Sequence, residues 1–94
     1  MSVNRHLSRT VAMQSIYEWD FRPEQSLQDI VRRNIDVYKD DVDDGYVINI
    51  VEGIRNNITV INTAIVDVAP DFPIEQIATI DKSILRVAIY EILF

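Results

Sequence analysis

Two arginines, Arg5 and Arg9, stand four residues apart in an opening stretch, MSVNRHLSRT, that also holds His6 and no acid. On a helix that spacing puts both on one face. Guanidinium groups gathered at the start of a helix, beside its free backbone N–H groups, suit phosphate binding. Arg9 also falls in line with Ala12, Met13 and Ile16, the expected core stripe. Its head therefore either overhangs the end of the core or meets an acid. Gln14 and Tyr17 follow along the same helix. An amide can hydrogen-bond a base edge and a phenol ring can stack on a base; the alternative for both is packing between helices.

Catalysis finds little support. His6 is the one histidine, cysteine is absent, and no glycine-rich phosphate loop occurs. No disulfide, thiolate metal site or cofactor motif is available. The acid run KDDVDDG (39–45) invites a calcium reading that fails on register. Starting at Asp41 puts Tyr46 where the loop needs glycine, and starting at Asp40 puts Val51 where it needs glutamate. The run reads as a solvated loop leading into a helix.

Charge narrows the partners further. The chain carries a net −6, unevenly spread. Within residues 1–22 three arginines face Glu18 and Asp20, a balance of +1. Beyond them six cations face thirteen acids, a balance of −7. Affinity for a polyanion belongs at the N-terminal end. At 94 residues, with 48% hydrophobic and 26% charged, the chain is one globular domain of residues 1–94. No apolar stretch reaches the roughly 18–20 residues of a membrane span, and no signal-peptide core is present, so a cytoplasmic protein is expected.

Helices must position these groups. Ala12, Met13, Ile16, Trp19 and Tyr17 predict a helix over about 6–21, ended by Phe-Arg-Pro (21–23). Ser26 with Asp29 resembles a capping box for a second helix, striped by Leu27, Ile30, Val31, Asn34/Ile35 and Tyr38. From about 46 to 68, Val47, Ile50/Val51, Ile54, Ile58, Ile61, Ile65 and Val68 recur in steps of three and four. That is one helix of about 35 Å at 1.5 Å per residue, or two. Gly53 either bends it or admits a close neighbour. Residues 69–73 break the chain, and a last helix starts near Ile74 or Asp81. On it, Leu85, Ala88, Ile89, Ile92, Leu93 and Phe94 project in nearly every direction, as on a helix buried on all sides. Arg86 and Glu91, polar residues inside this run, read as paired ions holding helices together.

Three stretches together resemble the NusB transcription antitermination family. RHLSRTVAMQSIYEWD (5–20) is similar to its arginine-rich opening followed by Arg-x-x-Ala-x-Gln-x-Leu-Tyr, with Arg9, Ala12, Gln14, Ile16 and Tyr17 in place. IVEGIRNN (50–57) resembles the family's apolar-apolar-x-Gly-x-x-x-Asn helix, and IDKSILRVAIYEIL (80–93) its buried Leu-Arg-x-Ala-x-Tyr-Glu helix. The resemblance implies an all-α, NusB-like helical bundle that binds boxA-type RNA of ribosomal leader transcripts with NusE, within the RNA polymerase antitermination complex. Arg5, His6 and Arg9 would contact phosphates or bases, with Gln14 and Tyr17 as further RNA contacts. His6 stands where the family usually has arginine, so this end is less basic than typical. Asp81 and Lys82, opening the last helix, would dock a partner protein or merely supply helix-start charge.

Family members continue past the third stretch through further helices that are absent here. The expectation is a bundle truncated after its central buried helix. Three or four large side chains uncovered by about 100 Å² each correspond to roughly 7–10 kcal/mol of lost burial, which a homodimer through the apolar face would recover. Two other readings stand beside the antitermination factor: a NusB-like accessory domain of an rRNA methyltransferase, and a folded fragment without function.

Overall fold

Asn4, Ser26 and Asp43 open three helices by the same device. Each lies in extended backbone, and its side-chain oxygen accepts a hydrogen bond from the N–H three residues on, at Leu7, Asp29 and Tyr46. The structure is a computed structural model that describes residues 4–68 and 79–93. Its helices are α1 (Arg5–Phe21), α2 (Leu27–Tyr38), α3 (Asp44–Asn56), α4 (Ile58–Val68) and α5 (Thr79–Leu93), with a 3₁₀ turn at Lys39–Asp41. No strand occurs among the described residues, so the fold is the all-α one expected. Nor is any described helix long and apolar enough to cross a membrane. The break expected at 69–73 and the alternative start at Ile74 lie outside the described residues.

The stripes become the core. Val11, Ala12 and Ile16 of α1 meet Leu27, Val31 and Ile35 of α2, Val47, Ile50, Val51 and Ile54 of α3, Ile61 and Ile65 of α4, and Val87 of α5. Helix α1 packs against α2, α3 and α5, and the small residues it buries, Ser8, Ala12 and Ser15, let those helices come close. With α2 it forms a hairpin, joined by Asn34 Nδ2 donating to Ser15 Oγ at 3.1 Å and by the Arg33–Glu18 ion pair. Two further ion pairs, Arg9–Glu91 and Arg86–Asp20, link α1 to α5 in opposite sequence order, so α5 runs antiparallel to α1.

The 46–68 stretch is two helices, α3 and α4. At Asn57 the backbone leaves the helix, and Asn57 Nδ2 donates to the Gly53 carbonyl at 2.8 Å in competition with the backbone ladder. Helix α4 resumes at Ile58, so Ile61 and Ile65 keep to the core side and the periodicity runs through the break. Gly53 admits a neighbour: an added Cβ would collide with the ring of Tyr90, whose hydroxyl donates to the Asn49 carbonyl at 3.3 Å. Gly53→Ala is therefore expected to destabilise by about 1 kcal/mol, the displaced ring and its hydrogen bond costing about 2 kcal/mol against a helix-propensity gain of about 1. In a Tyr90→Ala background the same change should stabilise. Urea midpoints of the four variants measure the reversal of sign.

Helix α5 carries the uncovered apolar side chains expected of it. Its apolar residues surround the axis, but α1, α3 and α4 cover only one side of it. Ser83, Arg86 and Val87 are buried there, while Ile84, Ile92 and Leu93 face outward, Ile92 with 81% of its surface exposed.

Candidate nucleic-acid interface

Ser8 fastens the start of α1 to the start of α3. It is fully buried; its hydroxyl donates to the Asn4 carbonyl and accepts from the Asp43 N–H, both at 2.9 Å. The Asn4 N–H reaches the Asp41 carbonyl at 2.9 Å. Helix starts joined this way put first-turn side chains of α1 against those of α3. Arg5 accordingly lies over the ring of Tyr46, its guanidinium carbon 4.2 Å from the ring centre. Arg5 as a whole remains exposed.

One turn further along α1, Arg9 points at α5. Its Nε and Nη2 hold the two carboxylate oxygens of Glu91 at 2.8 and 3.1 Å, the forked arrangement that fixes both partners. The Tyr46 hydroxyl joins them, donating to Glu91 Oε2 at 3.0 Å and accepting from Arg9 Nη2 at 3.3 Å. Of the two alternatives for Arg9, the structure shows pairing with an acid, and Glu91 is indeed a paired ion. Arg86 is one as well, 2.6 Å from Asp20 with its Nε 3.2 Å from Asn62 Oδ1.

Burial by itself would raise the Glu91 carboxyl. Hydrogen bonds from Arg9 and Tyr46 and the Arg9 charge outweigh it and hold the group below its ordinary 4.5, while Arg9 is pushed up chiefly by its hydrogen bond to Glu91. Because the folded carboxyl is the more acidic, the unfolded chain takes up the proton first as pH falls. The stabilisation is complete above the unfolded value and is lost as pH drops through the folded one. Melting temperatures should therefore fall more steeply below about pH 4.5 in the wild type than in Glu91→Gln. Parallel curves would mean that the pair contributes nothing.

The remaining candidates lie elsewhere. His6 is exposed beside Arg5. Gln14 and Tyr17 are turned away from Arg5 and Arg9, at about 100° per residue, and line a groove between α1 and α2 with Phe21, Asn34 and Tyr38. Gln14 is exposed; Tyr17 is half-buried and meets Phe21 edge to face, ring centres 4.9 Å apart. Asp81 is exposed and Lys82 half-buried in the first turns of α5. Since α5 is antiparallel to α1, they sit about 15 Å along the helix from Glu91, at the end of the bundle away from Arg5. The five RNA candidates thus form two separate surfaces, and the pair assigned to a protein partner a third. Sequence reasoning missed Tyr46, whose partners are 37, 41 and 45 residues away. Its one local signal is an aromatic residue in the exposed first turn of a helix.

No solved structure matches the chain. Among curated proteins it is 35% identical to the transcription antitermination protein NusB of Halothermothrix orenii, over 98% of this chain and 71% of that one. It is 31% identical to the NusB protein of Bdellovibrio bacteriovorus over 96% of this chain and 66% of that one, and 32% identical to that of Clostridium novyi over 98% and 71%. The family model described as NusB matches residues 6–94, nearly the whole chain, and the protein belongs to the NusB family.

Proposed function

We propose that this protein is an RNA-binding transcription antitermination factor, which binds boxA-type leader RNA of ribosomal operons together with NusE and helps RNA polymerase read through terminators. The observation that carries this reading is the family membership across residues 6–94, with relatives named as transcription antitermination proteins. The geometry supports it locally. The basic end of α1, with Arg5 and His6 exposed and Arg9 behind them, is the surface offered to RNA phosphates. Two of the nearby acids are already engaged: the Asp43 carboxylate caps α3, and Asp44 lies 3.7 Å from Arg32. In this reading Gln14 and Tyr17 form a second, separate RNA surface in the α1–α2 groove, and Asp81 and Lys82 belong to the docking surface for the partner protein. The protein acts by binding, and no catalytic step is assigned to it.

Fluorescence anisotropy with a labelled boxA-type RNA, with and without NusE, at two salt concentrations tests this. Binding should tighten with NusE and weaken with salt. Arg5→Ala should lower affinity about tenfold and reduce the slope of log affinity against log salt by about 0.7, one single-strand phosphate contact. Absence of binding at low salt, with NusE present, would overturn the proposal.

A further inference from the structure

We infer that Tyr46 is a positioning residue of the RNA site: its ring holds the Arg5 guanidinium with its N–H edge outward for an RNA phosphate, and Glu91 fixes that ring while turning Arg9 inward. The inference rests on the RNA-binding reading of the α1 start and divides the work among its cations. A guanidinium donates hydrogen bonds from its edge and stacks through its face. With its guanidinium carbon over the Tyr46 ring, 4.2 Å from the centre, Arg5 is held by the ring while its N–H groups stay unbonded among the described residues. It makes no side-chain hydrogen bond or ion pair with another described residue, so no bonded partner among them has to be displaced when a phosphate arrives, and its charge acts on the nearby Glu91 carboxylate only through space. Stacking also restricts a long, rotamer-rich side chain before binding, which lowers the ordering cost of the contact.

Arg9 is placed differently. Its Nε and Nη2 are taken by Glu91, and a phosphate claiming those donors would leave a carboxylate beside it without its cation. Direct phosphate contact therefore falls to Arg5, and Arg9 acts through Glu91 and Tyr46. The Tyr46 hydroxyl, between Glu91 Oε2 and Arg9 Nη2, is what sets the ring plane. Three helices meet in this arrangement: α1 supplies the reader, α3 the platform and α5 the acid that orients it.

A double-mutant cycle in the anisotropy assay, with a short labelled single-stranded RNA, separates this from a merely structural role. Tyr46→Leu should weaken binding about two- to fivefold, the size of an exposed cation–π contact. In the Arg5→Ala background it should cause no further loss, because the residue it positions is gone. Tyr46→Phe keeps the ring but loses the hydroxyl that orients it, so it should bind more weakly than wild type and more tightly than Tyr46→Leu, and Tyr46→Trp, which offers a larger cation-binding face, should bind at least as well as Tyr46→Phe. Circular dichroism of each variant monitors folding, so a helicity loss in Tyr46→Leu leaves the two aromatic variants to decide. Equal losses from Tyr46→Leu with and without Arg5 would overturn the positioning role while leaving RNA binding intact. So would a Tyr46→Trp variant that binds far more weakly than Tyr46→Phe. Failure of the wild type to bind at low salt would overturn the RNA reading itself, and this inference with it.

Discussion

Replacing Arg86 by methionine is expected to lower the unfolding free energy by about 3–5 kcal/mol. The side chain is 7% exposed and is held on two sides, by Asp20 at the end of α1 and Asn62 in α4. Methionine approximates the buried stem, so the cavity term is small and the cost comes from what remains. The Asp20 carboxylate, 21% exposed, is left without its cation. Breaking a buried pair by removing one member is expensive for that reason, whereas removing both is often nearly neutral. Asp20→Leu combined with Arg86→Met should therefore recover much of the loss. Arg32→Met is the contrast: its pair with Asp44 spans 3.7 Å with both side chains half exposed, and its loss should cost under about 1 kcal/mol. Urea unfolding at neutral pH measures all three. A cost below about 1 kcal/mol for Arg86→Met would place that pair with the surface ones.

The helices were readable because each buries one face, and burial of one face writes itself into the sequence as steps of three and four. Leu27, Ile30, Val31 and Ile35 are buried as the stripe predicts, and Ser26 is the cap. The interruption at Asn57 left no mark on the period, since a single non-helical residue returns Ile61 and Ile65 to the same side. In helix α5, hydrophobicity around the whole axis states what the side chains would accept, and the number of packed neighbours decides what is covered. At the site, Arg9's place in the core stripe left it either overhanging the core or paired with an acid, and the structure shows the pair. Which acid was a matter of how α1 and α5 pack, across 82 residues of sequence. Tyr46 was illegible for the same reason. The separation of Gln14 and Tyr17 from the arginines is legible in the sequence. At about 100° per residue they fall on a different side of α1, and closeness in sequence was no guide to a shared surface.

Ile16→Ala is expected to cost about 2–5 kcal/mol, and the reason it belongs in the upper half of that range is the position of α1. Ile16 has no exposed surface. The cost of a cavity depends on how far the surroundings can collapse into it, and here α2, α3 and α5 all pack on α1. None can move inward without loosening its contact with another helix. Small residues already occupy the neighbouring buried positions Ala12 and Ser15, so α1 has little side-chain volume nearby to fill the gap. The RNA site should be spared. Arg5 lies eleven residues before Ile16, about 16 Å along the helix, and its contact with Tyr46 is held by Ser8 and the caps of α1 and α3. The variant should therefore show a much lower urea midpoint, while its folded fraction binds RNA with the wild-type affinity and salt slope. Arg5→Ala should show the reverse, with stability kept and both binding quantities reduced. If Ile16→Ala lost affinity beyond its unfolded fraction, the start of α1 would be positioned by the packing of the whole bundle, and the local clamp of Ser8, Tyr46 and Glu91 would not suffice to hold it.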